Sequence, residues 1–159
     1  MMKESKIIIL LLPIIFLLNN GCSYQRINLP GQETFFLENI NVEGESRPAF
    51  LIKRKINRFS DPSSQNRLKI DISLDKKRVI QEKNIQNKVT KYKISLITKL
   101  KVTNLSKGST MNRVYNNHQI YNVDSKKYSS TINNAKEAES SLINLTVDQI
   151  LEGLRFYLN

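Results

Sequence analysis

The chain has 159 residues and a formal net charge of +11, and 40% of it is hydrophobic. That length supports one ordinary domain with a normal core. With one Cys and one His, the composition excludes an internal disulfide and leaves too few ligands for a soft-metal site.

The first 22 residues carry an export pattern. Lys3 and Lys6 precede an unbroken apolar run of 12 residues, Ile7 to Leu18, that tolerates Pro13. This is the h-region of a secretory signal. It is too short for a transmembrane helix, which needs about 20 apolar residues. The run ends at Asn19-Asn20-Gly21-Cys22, and a small residue followed by Cys is what lipoprotein processing requires. Leu18 stands four positions before the Cys and Asn19 three, whereas lipoprotein signals usually place Leu at the third. Two readings of Cys22 stand: a lipidated residue, or a buried thiol near a conventional cleavage site. A lone thiol in an oxidising compartment is a liability, which favours lipid, and several acyl chains anchor stably. Ser23 after the Cys points to the outer membrane by analogy with enterobacterial sorting. The expected organisation is a signal peptide over 1–21, the lipidated Cys and a tether over 22–34, and one α/β domain over 35–159. Two positive charges and one negative leave with the signal, so the mature chain keeps +10. Export argues against nucleic acid as the partner of that charge. Anionic headgroups, lipid A phosphates or an acidic protein surface fit better. The richness in Asn, Lys and Ile (18, 17 and 19 residues) also fits plain compositional drift.

The tether contains Pro30 and Gly31 and no apolar period, and its 12 residues after the Cys reach about 40 Å when extended. Phe35 to Ile40 reads as a short strand. Ser46 reads as a helix N-cap with Pro48 in the first turn. Ala49, Ile52, Ile56 and Phe59 form one helical stripe, which Asp61-Pro62-Ser63-Ser64 stops. Two strands with period-2 alternation follow. Leu68, Ile70, Ile72 and Leu74 share one side of the first. Tyr92, Ile94, Leu96, Leu100 and Val102 share one side of the second, with Thr98 among them and Ile97 opposite. The polar residues 75–89 extend both strands into a long solvated hairpin. Asn104 to Thr110, with Gly108, is a turn. A fourth strand covers about Asn112 to Asn122 with weaker alternation, Val114 and Ile120 being its aliphatic members. The last segment, about Ser129 to Leu158, is a helix roughly 45 Å long. Ala135, Ala138, Leu142, Leu145, Ile150, Leu151, Leu154 and Leu158 form its apolar side, with Ile143 and Val147 widening it, and Gly153 weakens it by about 1 kcal/mol. The order β-α-β-β-β-α predicts an α+β two-layer sandwich: a four-stranded, mostly antiparallel sheet with both helices on one face.

The same alternation sends Lys69, Asp71, Lys91, Lys93, Lys99 and Lys101 to the other face. Arg113 is expected to join them, with Tyr115 and Tyr121 beside it. Such a face either binds phosphates or an acidic wall, or is a solvated surface whose lysines discourage edge pairing. Catalysis has little support. His118 lies among Asn116, Asn117 and Gln119, no G-x-S-x-G elbow occurs, and nothing implies a metal or cofactor.

Taken together, the segments resemble the LPS-assembly lipoprotein family. The resemblance is densest in Thr90-Lys91-Tyr92-Lys93-Ile94-Ser95-Leu96, in Tyr121-Asn122-Val123 with Tyr128-Ser129-Ser130, and in Ala135-Lys136-Glu137-Ala138-Glu139 and Ile150-Leu151-Glu152-Gly153-Leu154. Lys91 stands where the family carries Arg after Thr. The resemblance implies a periplasm-facing outer-membrane lipoprotein that plugs a large β-barrel protein and helps it deliver lipopolysaccharide to the cell surface. Its partners would be that barrel, lipopolysaccharide and the membrane holding its anchor. Two alternatives remain: an auxiliary lipoprotein of an ABC-type lipid transport system, and an exported enzyme.

Overall fold

A computed structural model describes residues 34–159. The signal segment, Cys22 and the tether up to residue 33 lie outside the described residues. The elements run β1 (Phe36–Glu43), α1 (Ser46–Asn57), β2 (Arg67–Lys83), β3 (Val89–Asn104), β4 (Ser109–Asn122) and α2 (Tyr128–Leu158). The sheet order is β1-β2-β3-β4; β1 pairs parallel to β2, and the other two pairs are antiparallel. The parallel pair follows from α1, because two parallel strands need a crossover between them. The antiparallel pairs follow from short turns. This is the α+β arrangement that the periodicities predict.

The apolar stripes meet between sheet and helices. Leu68, Ile70, Leu96 and Val102 from the strands and Ile52, Ile56, Ile150 and Leu154 from the helices are buried within 2% of complete exclusion. Each contributes about 1.5–3 kcal/mol relative to an exposed position. β1 enters this core through a bulge. Leu37 aligns with Leu68 and Ile40 with Ile70, three residues apart on one strand and two on the other. The extra residue near Glu38 restores the inward parity of Ile40 and Val42. Gly44, at φ +123°, is required where β1 turns into α1, since a Cβ there would lie 2.5 Å from the Leu74 carbonyl oxygen.

Three expectations for the helices change. Ser46 is the first helical residue and not the cap; Glu45 precedes it without a side-chain capping bond. Phe59 lies just past the end of α1 and is half exposed, because the helix stops before its stripe reaches that far. Leu145 faces water and Thr146 is buried instead, beside Ile143 and Val147. The start of α2 is fastened by Asp124, whose Oδ1 accepts from the N–H groups of Lys126 (2.8 Å) and Lys127 (3.0 Å), and whose own N–H donates to Thr131 Oγ1 at 2.8 Å.

β4 is joined to α2 by polar contacts as well as apolar ones. Asn117 donates through Nδ2 to Thr146 Oγ1 (3.1 Å) and to Gln149 Oε1 (2.8 Å). Tyr115 packs so closely that a Cβ at Gly153 would lie 2.6 Å from its hydroxyl. The glycine that weakens the helix in isolation thus makes room for a tyrosine. Burial raises the Tyr115 hydroxyl pKa above its ordinary value.

Candidate functional site

The register decides what the uncovered face carries. Across β2 and β3, Lys69 pairs with Thr103, Asp71 with Lys101, Ser73 with Lys99, Asp75 with Ile97, Lys77 with Ser95 and Val79 with Lys93. Across β3 and β4, Lys93 pairs with Ile120, Ser95 with His118, Ile97 with Asn116, Lys99 with Val114 and Lys101 with Asn112. Directly paired residues share a face, and the odd-numbered residues of β3 alternate with its buried even-numbered ones. Lys69, Lys91, Lys93, Lys99 and Lys101 therefore all lie on the side away from the helices.

Arg113 does not join them. It pairs with Leu100, which is buried, so it shares the helix-covered side with Tyr115, Asn117 and Tyr121. Val114 and Ile120 point outward instead. The reason is local: β4's inward positions are filled by two tyrosines and a hydrogen-bonded Asn, so its aliphatic residues are free for the outer face. Arg113 itself is exposed at the sheet edge.

The outer face is mixed in sign and not uniformly basic. Lys77 lies 3.1 Å from Asp75, Lys91 2.6 Å from Glu82, and Lys69 4.0 Å from Asp71. The hydrogen bond from Lys91, and then that from Thr90, hold the Glu82 carboxyl below its ordinary pKa. Among the described residues, no carboxylate lies within salt-bridge distance of Lys93, Lys99 or Lys101. Lys99 and Lys101 line one side of a shallow groove of about 450 Å³, with Glu43 and Asp71 on the opposite side and Val114, 66% exposed, at its β4 end. Such a groove accepts an anion against its lysines and a donor against its acids. His118 stands exposed on this face, opposite Ser95.

Two charged residues lie on the covered side. Lys76 pairs with Glu45 and with Glu139, which ties the approach to α1, the sheet and α2 together. The Arg78 guanidinium lies 5.0 Å from the Tyr92 ring centroid, a distance at which a cation is attracted to the ring face. Tyr92 and Tyr121 have centroids 5.7 Å apart and, with Arg78, Tyr128 and Ile132, border a second depression of about 490 Å³. The signal was present in the sequence: both cations continue the even-numbered parity of Leu68 to Leu74. Among the described residues, no group of three His, Cys, Asp or Glu side chains could hold a metal ion, and no helix is long and apolar enough to cross a membrane.

This sheet under two helices is an architecture found in bacterial lipoproteins. The fold is similar to that of lipoprotein B of Nitrosomonas europaea, with a TM-score of 0.61 at 11% identity over 84% of this chain and 92% of that one. It is also similar to the rare lipoprotein B of Shewanella oneidensis (TM-score 0.55, 10% identity, 73% of this chain and 92% of that one). A lipoprotein of Caulobacter crescentus gives a TM-score of 0.52 at 11% identity over 75% of this chain and 89% of that one. No protein-family model matches the sequence, and no curated protein does.

Proposed function

We propose that this chain is a lipid-anchored accessory of lipopolysaccharide assembly, held at the periplasmic side of the outer membrane through Cys22. In this reading it occupies a β-barrel partner and has no catalytic role. The observation that carries it is the asymmetry of the sheet: both helices cover one face, and the other, among the described residues, is left bare with Lys93, Lys99 and Lys101 unpaired. A bare face is ordinary in an antiparallel sheet. What supports a docking role is that its three unpaired cations sit beside exposed Val114 and Ile120. Charge-assisted contacts there are worth about 1.5–3 kcal/mol each once water is excluded. The resemblance of the sequence to the LPS-assembly lipoproteins and the fold shared with bacterial lipoproteins support the same role.

Two experiments test it. Depleting the protein should reduce lipopolysaccharide at the cell surface and impair folding of the barrel partner; unchanged surface lipopolysaccharide and a normally folded barrel would reject the role. The intact lipoprotein, purified from detergent-solubilised outer membranes, should bring a β-barrel protein with it. A permease or substrate-binding protein in its place would favour lipid transport of the ABC type.

A further inference from the structure

The β2–β3 hairpin outgrows the rest of the domain. From Val79 to Lys83 every residue of β2 is exposed, beyond the depression that Arg78 shares with α2. The turn at its end is well built. Asn84 Oδ1 accepts from the N–H groups of Gln86 and Lys88, both at 3.0 Å, and the Asn84 N–H donates to the Lys88 carbonyl at 2.9 Å. Asn87 takes the left-handed conformation at φ 59°, which Asn tolerates, and its Oδ1 accepts from Lys83 Nζ at 3.0 Å. These bonds hold the turn in one shape, and that shape presents Ile85 at the apex with its whole side chain in water (105% exposed).

Behind the apex the ribbon exposes one aliphatic side chain on each face: Val79 (51%) on the lysine face beside Lys93, and Ile80 (50%) on the other, opposite Tyr92. Between Arg78 and Lys93 there are five cations, Arg78, Lys83, Lys88, Lys91 and Lys93, against a single acid, Glu82. That acid is already engaged by Lys91 and Thr90. A protein groove would need a complementary cavity for one convex aliphatic tip, whereas a lipid headgroup layer deforms around it.

We propose that this arm contacts a bilayer containing anionic phospholipid, with Ile85 entering the headgroup layer and Lys83 and Lys88 meeting phosphates. Shallow insertion of aliphatic side chains beside cations is the usual physics of interfacial binding. The inference stands apart from the proposed function, since it uses neither the groove at Lys99 and Lys101 nor a barrel partner.

The chain contains no Trp, which allows a clean test. Full-length protein carrying Ile85→Trp is mixed with vesicles of phosphatidylcholine alone, or of equal parts phosphatidylcholine and phosphatidylglycerol. The expected result is a blue shift of emission with the mixed vesicles only, reversed by added salt. Lys83→Gln and Lys88→Gln in the same background should each weaken the apparent affinity by about fivefold. A second reporter, Phe156→Trp, sits on an exposed position in the last turn of α2 and should keep its emission unchanged. Unaltered emission from position 85 with anionic vesicles would overturn the proposal and leave a protein surface as the occupant. An equal shift with neutral vesicles, or an equal shift at position 156, would overturn it as well.

Discussion

The two faces of the sheet are built from alternate residues of the same strands, yet they answer to different constraints. On the covered face nearly every position is accounted for. Leu68, Ile70, Leu96 and Val102 are sealed in, Asn117 has its partners on α2, and Lys76 has its two glutamates. On the open face acids and lysines alternate, aliphatic residues stand in water, and three lysines lack a carboxylate partner among the described residues. The covered face is determined by burial, which tolerates little change. The open face makes a small contribution to stability, which leaves its residues available for recognition. Substitutions should separate the two: large effects on stability from one side, and effects on partner binding from the other.

The largest loss should come from Ile70→Ala. Ile70 is fully buried near the start of β2, so the cavity should cost about 2–5 kcal/mol in denaturant unfolding. A cost no greater than that of a surface substitution would mean that the faces are assigned the wrong way round. Asn117→Ala should cost less, about 1–3 kcal/mol, by removing the two bonds from β4 to α2. Thr98→Val sharpens the comparison in the other direction. The Thr98 hydroxyl is buried with no hydrogen-bond partner among the described residues, so a methyl in its place should raise stability by about 1 kcal/mol, measured as a higher Tm. On the open face, Lys99→Gln with Lys101→Gln should change stability by less than about 0.5 kcal/mol while reducing recovery of the barrel partner in co-purification.

The smallest effect expected is a pH effect near the tip of the arm. The folded-state pKa of Glu82 lies below its ordinary value. Its contribution is therefore present above the unfolded-state pKa and lost as pH falls through the folded one. Protection factors of the arm's amides, corrected for the intrinsic pH dependence of exchange, should fall on acidification through that range, and Glu82→Gln should remove that fall.

The regularity of each strand decided how far its side chains could be read in advance. β2 and β3 alternate strictly, so the positions of Lys69, Lys93, Lys99 and Lys101 follow from counting, as does the long hairpin through residues 75–89. β1 breaks its own alternation at the bulge between Leu37 and Asn39, so its register needed its neighbour. In β4 the hydropathy pattern misleads, since its buried side chains are Tyr121, Asn117 and the half-buried Tyr115, none of which stands out in it. Arg113 falls on the side of Leu100, against its expected place, for that reason. The acids of the open face were visible as Asp71, Asp75 and Glu82, but their pairing with particular lysines depends on side-chain conformations that periodicity does not carry.

The central claim is that the lysine face, and not the helix face, meets the partner. It is tested most directly by a photo-crosslinking residue placed in the cell at Lys101, compared with one at Phe156 on α2. The account predicts a crosslink from position 101 to an outer-membrane β-barrel protein and none of comparable yield from position 156. A crosslink to that barrel from position 156 alone would contradict it.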